Sequence, residues 1–99
     1  MIEIKPYQNA IKYACQSQGV KKLELFGSYA REDFRADSDM DFLVEFDLSQ
    51  PSLFDRYLAL FEALEKIFKK KIDLVEISSL KNAILIKSIN EDRKVIYEA

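Results

Sequence analysis

Short apolar runs separated by polar segments recur along the chain and predict strands. Residues 22–26 and 42–46 are rich in Leu, Val and Phe, as strands are. Residues 71–77 repeat this composition, and residues 94–97 form a short final run. Because strand side chains alternate between two faces, every second residue of these runs is expected to face a core.

Helical spacing predicts a first helix before residue 19 and a longer helix in the second half of the chain. Ala10, Ile11, Ala14 and Cys15 recur at helical intervals, and Gly19 stands where a glycine commonly ends a helix. The longer helix is expected to begin near residues 51–52. Its apolar stripe comprises Leu53, Tyr57, Leu58, Phe61, Leu64 and Phe68.

Basic residues follow that stripe at Lys66 and at positions 69–71, where they suit the negative pole of a helix. Phosphate binding is the alternative reading of this basic run. Ser79 is then expected to cap a fourth helix. Four of its residues should face the core: Leu80, Ala83, Ile84 and Ile89. Residues 90–92 are expected to turn the chain into the last strand.

Alternating strands and helices predict an α/β fold with a small mixed sheet flanked by helices, in one domain over residues 1–99. The chain carries a net charge of −2, so composition argues against a basic groove for nucleic acid. It has no histidine, which excludes a histidine-dependent triad or metal site. The single cysteine, Cys15, is expected to be a buried thiol. No apolar run approaches membrane-spanning length, and we expect a cytoplasmic protein.

A Gly-Ser turn at residues 27–28 follows the first predicted strand. Gly27 can take a positive φ angle or let the backbone approach a ligand closely. Ser28 can offer its hydroxyl and nearby N–H groups to phosphate oxygens, with a short helix starting there. Taken alone, Gly-Ser is a common loop dipeptide. At the end of a strand, we interpret it as a phosphate-binding turn.

Two aspartates, Asp39 and Asp41, open the next strand, and ten residues separate Ser28 from Asp39. They should point to one face while Met40 and Phe42 point into the core. Mg²⁺ takes oxygen ligands from one or two carboxylates together with substrate phosphates, so the pair predicts a divalent metal site beside the phosphate turn. The alternative is a solvated acidic turn.

Asp73 is a third candidate carboxylate, within the predicted strand at residues 71–77. Aspartate is depleted in strands, so its presence among Ile, Leu and Val requires a reason. If this strand lies beside the strand of Asp39 and Asp41, Asp73 could complete a cluster of three carboxylates. It could instead be an edge residue paired with a lysine.

Together, these motifs resemble the DNA polymerase β-type nucleotidyltransferase superfamily, and most of all its minimal nucleotidyltransferases (the MNT domain family). The resemblance implies the nucleotidyltransferase fold and transfer of AMP from ATP, with Mg²⁺ or Mn²⁺, to a tyrosine of a helical HEPN toxin that the protein neutralises. It also implies that Asp39 and Asp41 bridge two metal ions and that Asp73 ligates the catalytic metal and helps deprotonate the acceptor. Gly27 and Ser28 would hold the β and γ phosphates.

Two charged residues, Arg31 and Glu32, follow the turn. Arg31 could steady the triphosphate, or it could only pair with Glu32 or Asp33. The family often has glycine where this chain has Glu32, which adds a negative charge near the phosphate site.

Larger relatives carry a further domain for the acceptor, so we expect a partner protein or a second copy of the chain to supply it. Tyr29, Phe34 and Tyr97 are candidate contact residues, although each could be core. The alternatives to a protein-modifying enzyme are a non-catalytic nucleotide-binding module that covers its partner and a transferase acting on a small molecule or an RNA end.

Overall fold

A four-stranded mixed sheet forms the centre of the computed structural model, which describes residues 4–79 and 83–99. Its strands are β1 (Val20–Phe26), β2 (Met40–Phe46), β3 (Ile72–Glu76) and β4 (Lys94–Glu98), in the order β3-β2-β1-β4. β1 runs antiparallel to both β2 and β4, whereas β2 and β3 are parallel. This architecture confirms the predicted fold class.

In the described residues, one helix, α1 (Gln8–Ser17), precedes the sheet, and three lie between successive strands: α2 (Ser28–Arg31), α3 (Leu53–Phe68) and α4 (Ala83–Asp92). Short 3₁₀ turns occupy Lys5–Tyr7 and Ile77–Ser79. α3 connects β2 to β3, and this crossover is what allows those two strands to be parallel. No helix among the described residues is long and apolar enough to cross a membrane.

The main core lies between one face of the sheet and the helices α1 and α3. Alternate residues of β2 enter it, and Met40, Phe42 and Val44 are all fully buried. Fully burying an apolar side chain of this size stabilises the fold by roughly 1.5–3 kcal/mol. On the other face of the sheet, Glu24 and Leu43 are also buried. The core-facing alternation predicted for β2 is therefore confirmed.

The buried stripe of α3 differs from the predicted one. Leu60, Leu64 and Phe68 face the core at four-residue intervals. Leu53 and Leu58, which were expected in the stripe, are 37% and 40% exposed. Tyr57 and Phe61 are only partly buried. Leu64 and Phe68 of the predicted stripe are confirmed, and Leu60 was missed. Apolar residues occupy more than one side of this helix, so the sequence pattern alone did not show which of them face the core.

The same helix face carries a buried arginine, Arg56, which the sequence pattern did not predict. Its guanidinium lies 5.3 Å from the ring centroid of Phe46. It donates to five backbone carbonyls: those of Gln18 (3.2 Å), Gly19 (3.4 Å), Asp47 (3.1 Å), Gln50 (2.9 Å) and Pro51 (3.0 Å). Arg56 therefore joins the start of β1 to the loop that follows β2.

The helix ends follow the predictions in part. α1 ends before Gly19, whose φ of +65° confirms the predicted glycine cap. α4 continues through Asp92, so the turn predicted at residues 90–92 is wrong. That segment has no glycine or proline, and the N–H of Arg93 still donates to the carbonyl of Ile89 (3.0 Å).

The predictions for the start of α4 can be compared with the structure only in part. Ile89 is buried, as expected. The hydroxyl of Ser79 donates to the carbonyl of Glu76 (2.7 Å) within the 3₁₀ turn. Leu80 and the side chains of Ala83 and Ile84 lie outside what the structure describes, so the rest of the capping prediction remains a prediction.

Candidate active site

The Gly-Ser turn lies between β1 and α2, as predicted. Gly27 has φ +74° and ψ −154°, a conformation open to glycine and rarely to other residues. The N–H groups of Ala30 and Arg31 donate back to its carbonyl (3.1 and 3.0 Å), which starts the short helix at Ser28.

Gly27 also packs directly against the carboxylate of Asp41. A Cβ atom placed on Gly27 would overlap a carboxylate oxygen of Asp41 and lie 3.1 Å from its carboxyl carbon. Both the φ angle and this contact therefore require glycine at position 27. The predicted phosphate turn and the predicted metal-binding strand are in contact.

The sheet register places two of the three predicted carboxylates, Asp41 and Asp73, side by side. Asp41 pairs with Phe26 across the β1–β2 ladder and with Asp73 across the β2–β3 ladder. Asp39 lies directly before β2, next to the fully buried Met40. The predicted adjacency of β2 and β3 is thus confirmed. The ion pairs formed within residues 4–79 and 83–99 do not include Asp73, so the lysine-paired alternative gains no support there.

Electrostatics at this edge centre on Asp41. Partial burial, followed by the charges of Asp73 and Asp39, raises the pKa of the Asp41 carboxyl to about 6, while the charge of Arg31 acts in the opposite direction. The negative charge of the Asp41 carboxylate is therefore disfavoured by burial and by repulsion from Asp73 and Asp39. A cation placed among the three carboxylates would relieve this repulsion.

Across the described part of the chain, no three acidic or thiol side chains converge tightly enough to form a ready-made metal site. The carboxylates are neighbours in the sheet without forming a closed cage. Mg²⁺ is commonly bound by one or two carboxylates plus substrate phosphates rather than by an all-protein cage. The oxygen donors present fit such a shared site, and the assignment of metal ligands stays a prediction.

Arg31 makes two ion pairs. Its Nε donates to Asp33 (3.1 Å), and its Nη1 donates to Asp92 at the end of α4 (2.9 Å). These bonds raise the pKa of Arg31, the bond to Asp92 contributing most. Of the two carboxylate partners expected from the sequence, Asp33 is confirmed and Glu32 is not, whereas Asp92 was missed because 61 positions separate it from Arg31.

Glu32 ends α2 in the left-handed region, with φ +69°. Residues with a Cβ are disfavoured in this conformation, which glycine adopts freely. The glycine that the family resemblance leads us to expect at this place would adopt the same conformation without strain. In this chain, the side chain of Glu32 is exposed.

The aromatic residues proposed as partner contacts lie mainly inside the protein. Tyr29 is only 2% exposed and stacks on Phe34 at 4.2 Å between ring centroids, so its reading as a contact residue is wrong. Phe34 and Tyr97 are partly buried against the core. Among the described residues, the most exposed large apolar side chains are instead Tyr13, Leu48, Phe54 and Val95.

Tyr57 is a further residue beside the carboxylates. The sequence predicted it only as part of the apolar stripe of α3. Its hydroxyl donates to the carbonyl of Leu74, which follows Asp73 in β3. Burial and the charge of Asp73 both raise the pKa of Tyr57. The helix α3 is therefore tied to β3 at the position of the third carboxylate.

Comparison with known proteins bears directly on this site. Residues 8–99 match the family described as polymerase beta, nucleotidyltransferase. The chain belongs to this family of nucleotidyltransferases. The match spans the Gly-Ser turn and all three aspartates.

Two curated relatives narrow the position of this nucleotidyltransferase within the family. It is 48% identical to a provisionally named protein adenylyltransferase of Methanocaldococcus jannaschii over 73 residues, covering 74% of this chain and 73% of the relative. It is 40% identical to the protein adenylyltransferase MntA of Thermococcus cleftensis over 79 residues, covering 80% of this chain and 75% of that protein.

A solved structure shares the fold. The nucleotidyltransferase superposes with a TM-score of 0.66 and 18% identity on a chain of the complex of tri-AMPylated Shewanella oneidensis HEPN toxin with MNT antitoxin. The match covers 98% of this chain and 74% of the other. At this identity, the likeness describes the fold alone.

Proposed function

We propose that this nucleotidyltransferase is a protein adenylyltransferase that transfers AMP from ATP to a tyrosine hydroxyl of a HEPN toxin and thereby acts as its antitoxin. The observation that carries the proposal is the contact between Gly27 and Asp41, with Asp73 next to Asp41 in the sheet. It supports the proposal because the candidate phosphate turn and the candidate metal-binding aspartates lie at one edge of the sheet, and phosphoryl transfer depends on such positioning and charge neutralisation.

The names of the relatives support the acceptor class. Two similar chains are named protein adenylyltransferases, and a protein of the same fold is named the MNT antitoxin of an AMPylated HEPN toxin. Transfer to a protein hydroxyl is therefore proposed ahead of transfer to a small molecule or an RNA end.

In the proposed site, Asp39, Asp41 and Asp73 would hold Mg²⁺ or Mn²⁺, and Gly27 and Ser28 would hold the β and γ phosphates of ATP. A divalent ion bound there supplies charge neutralisation for the attacking and leaving oxygens. Asp73 lies on the more exposed strand, from which it can accept the proton of an incoming hydroxyl.

The proposed transfer of AMP is a single displacement at the α-phosphorus of ATP. The acceptor oxygen forms a bond to the α-phosphorus, and the bond from that phosphorus to the α–β bridging oxygen breaks. The electron pair leaves with pyrophosphate, and the acceptor proton passes to Asp73 or to water. Because the reacting groups are charged phosphates, the chain acts by positioning and charge rather than by a covalent intermediate.

Co-expression with a HEPN protein tests the proposal. We expect the partner to gain the mass of one or more adenylyl groups, and the mass shift to require the divalent metal. The double variant Ser28→Ala with Asp41→Asn should remove both the mass shift and the growth rescue. Intact-mass spectrometry and a growth assay measure the two outcomes, with Asp37→Asn, an exposed loop substitution, as the control.

The second candidate is a binding module that neutralises its partner by covering it. The exposed Leu48 and Phe54 favour it, because they lie beyond the end of β2 that is remote from the aspartates. This function predicts that the double variant still rescues growth and that the wild type adds no mass. Rescue without any mass shift would replace the enzymatic proposal with this one.

A further inference from the structure

The last residue of α4, Asp92, contacts the candidate nucleotide site through Arg31. Its carboxylate accepts from Nη1 of Arg31 at 2.9 Å, and only 18% of its side chain is exposed. A negative charge at the C-terminal end of a helix is disfavoured by the helix dipole. The charge of Asp92 is therefore unfavourable for the end of α4, whereas its carboxylate forms a favourable ion pair with Arg31.

Arg93, the next residue, anchors the same end of α4. Its Nε lies 2.8 Å from Oε2 of Glu24, a β1 residue that is only 3% exposed. Its Nη1 donates to Asn90 at 2.7 Å. A second cation, Lys22, lies 3.7 Å from Glu24. The buried charge of Glu24 is thus compensated, and the end of α4 is held against the sheet beside Asp92.

We propose that Asp92 is a positioning residue, which holds the guanidinium of Arg31 beside the Gly27–Ser28 turn so that it can bind the triphosphate. The inference rests on the proposed function, because it assumes that ATP occupies this turn. Arg31 lies at the end of α2, three residues after Ser28. The charge of Arg31 also reaches Asp41 across this edge.

The bonding of Arg31 leaves donors for a phosphate. Guanidinium carries five N–H donors in a rigid fork. In the described part of the chain, Asp33 accepts a hydrogen bond from Nε and Asp92 accepts one from Nη1. Within that part, the N–H groups on Nη2 therefore remain available to donate to an anion. Two carboxylates fix the plane of the fork, which reduces the side-chain entropy lost when ATP binds.

A purely structural tie between α2 and α4 is the competing explanation, and a double-mutant cycle separates the two. The variants are Asp92→Asn, Asp92→Glu, Arg31→Ala and the double variant Asp92→Asn with Arg31→Ala. Glu91→Gln, at the exposed neighbouring position, is the matched control. The measurement is titration with ATP and Mg²⁺, with the thermal transition recorded for each variant.

We expect Asp92→Asn to weaken ATP binding about 10-fold, as for the loss of one charge-assisted contact. Asp92→Glu should restore most of the affinity, and Glu91→Gln should leave it unchanged. The double variant should bind no more weakly than Arg31→Ala alone, because Asp92 would act only through Arg31. Arg31→Lys, which keeps the charge but loses the fork, should also weaken binding about 10-fold.

Unchanged or tighter ATP binding by folded Asp92→Asn would overturn the inference. Additive losses in the double variant would also overturn it, since they would show that Asp92 acts on the fold rather than on Arg31. If Asp92→Asn does not fold, Asp92→Ser, which also lacks the carboxylate, is titrated in its place, with the same expected loss. Failure of the wild type itself to bind ATP with Mg²⁺ would instead refute the proposed function, and the two failures are thereby distinguished.

Discussion

The backbone of Gly27 and the carboxylate of Asp41 pack so closely that no side chain fits between them. This contact places the turn after β1 against the start of β2. The candidate phosphate turn is thus positioned by the same carboxylate that is proposed to bind metal. The two halves of the site depend on each other.

Gly27→Ala is expected to damage both stability and nucleotide binding. Alanine is strained at φ +74°, and its Cβ would displace Asp41. We expect a loss of about 2 kcal/mol or more in the free energy of unfolding, measured by chemical denaturation. Ser28→Ala, which strains nothing, should change stability by less than about 0.5 kcal/mol while still weakening ATP binding. Equal stability of Gly27→Ala and wild type would contradict the assigned geometry.

Asp41→Asn should stabilise the metal-free protein at neutral pH. The folded-state pKa of about 6 lies above the ordinary value of 3.8, so the folded protein binds more protons than the unfolded chain between these values. Stability should therefore fall as the pH rises from about 4 to 6, by on the order of 1–2 kcal/mol after allowing for partial exposure.

Urea unfolding across this pH range checks the prediction. The fall in stability should be largely absent in Asp41→Asn and retained in Asp37→Asn, which alters an exposed loop carboxylate. A pH profile identical to wild type in Asp41→Asn would show that Asp41 is not the group responsible. The same variant should lose metal-dependent ATP binding.

Asp73→Asn should separate binding from transfer. Because Asp73 lies on the more exposed side of the cluster, ATP binding should remain largely intact, whereas transfer should fall by about 100-fold or more from lost acid–base help and positioning. Calorimetry and intact-mass kinetics measure the two quantities. A collapsed thermal transition in this variant would assign Asp73 a structural role instead.

Glu32→Gly should raise the melting temperature. Residue 32 has φ +69°, and glycine relieves that strain, although its unfolded chain is more flexible. We expect a net gain of about 0.5–1 kcal/mol, or roughly 2–8 °C for a domain of this size. Glu32→Ala removes the same charge without relieving the backbone, so it should show no such gain. Equal gains in both variants would attribute the effect to charge.

The sequence was sufficient to place most of the candidate site residues on the fold. Strand composition located Gly27, Asp41 and Asp73, and alternation placed Met40 and Phe42 in the core. These predictions succeed because they depend on local geometry with a fixed period of two. The parallel pairing of Asp41 with Asp73 was conditional on the sheet order, which local pattern does not determine.

The missed features are those that depend on distant parts of the chain. Arg56 is buried because five carbonyls from two separate loops surround it. Asp92 meets Arg31 only after the fold has formed. Charged residues usually lie at the surface, so composition argued against burial at position 56.

The Arg56 network lies at one end of β1 and β2, and the carboxylates lie at the other. The register that pairs Val20 with Phe46 and Phe26 with Asp41 makes these ends opposite. The hydrogen bonds of Arg56 stabilise the first end, whereas repulsion between the carboxylates destabilises the second. Backbone amides should therefore exchange with solvent first around the carboxylates, and a bound nucleotide with its cation would close that opening. Substrate binding would then stabilise this end of the sheet in addition to supplying the reacting groups.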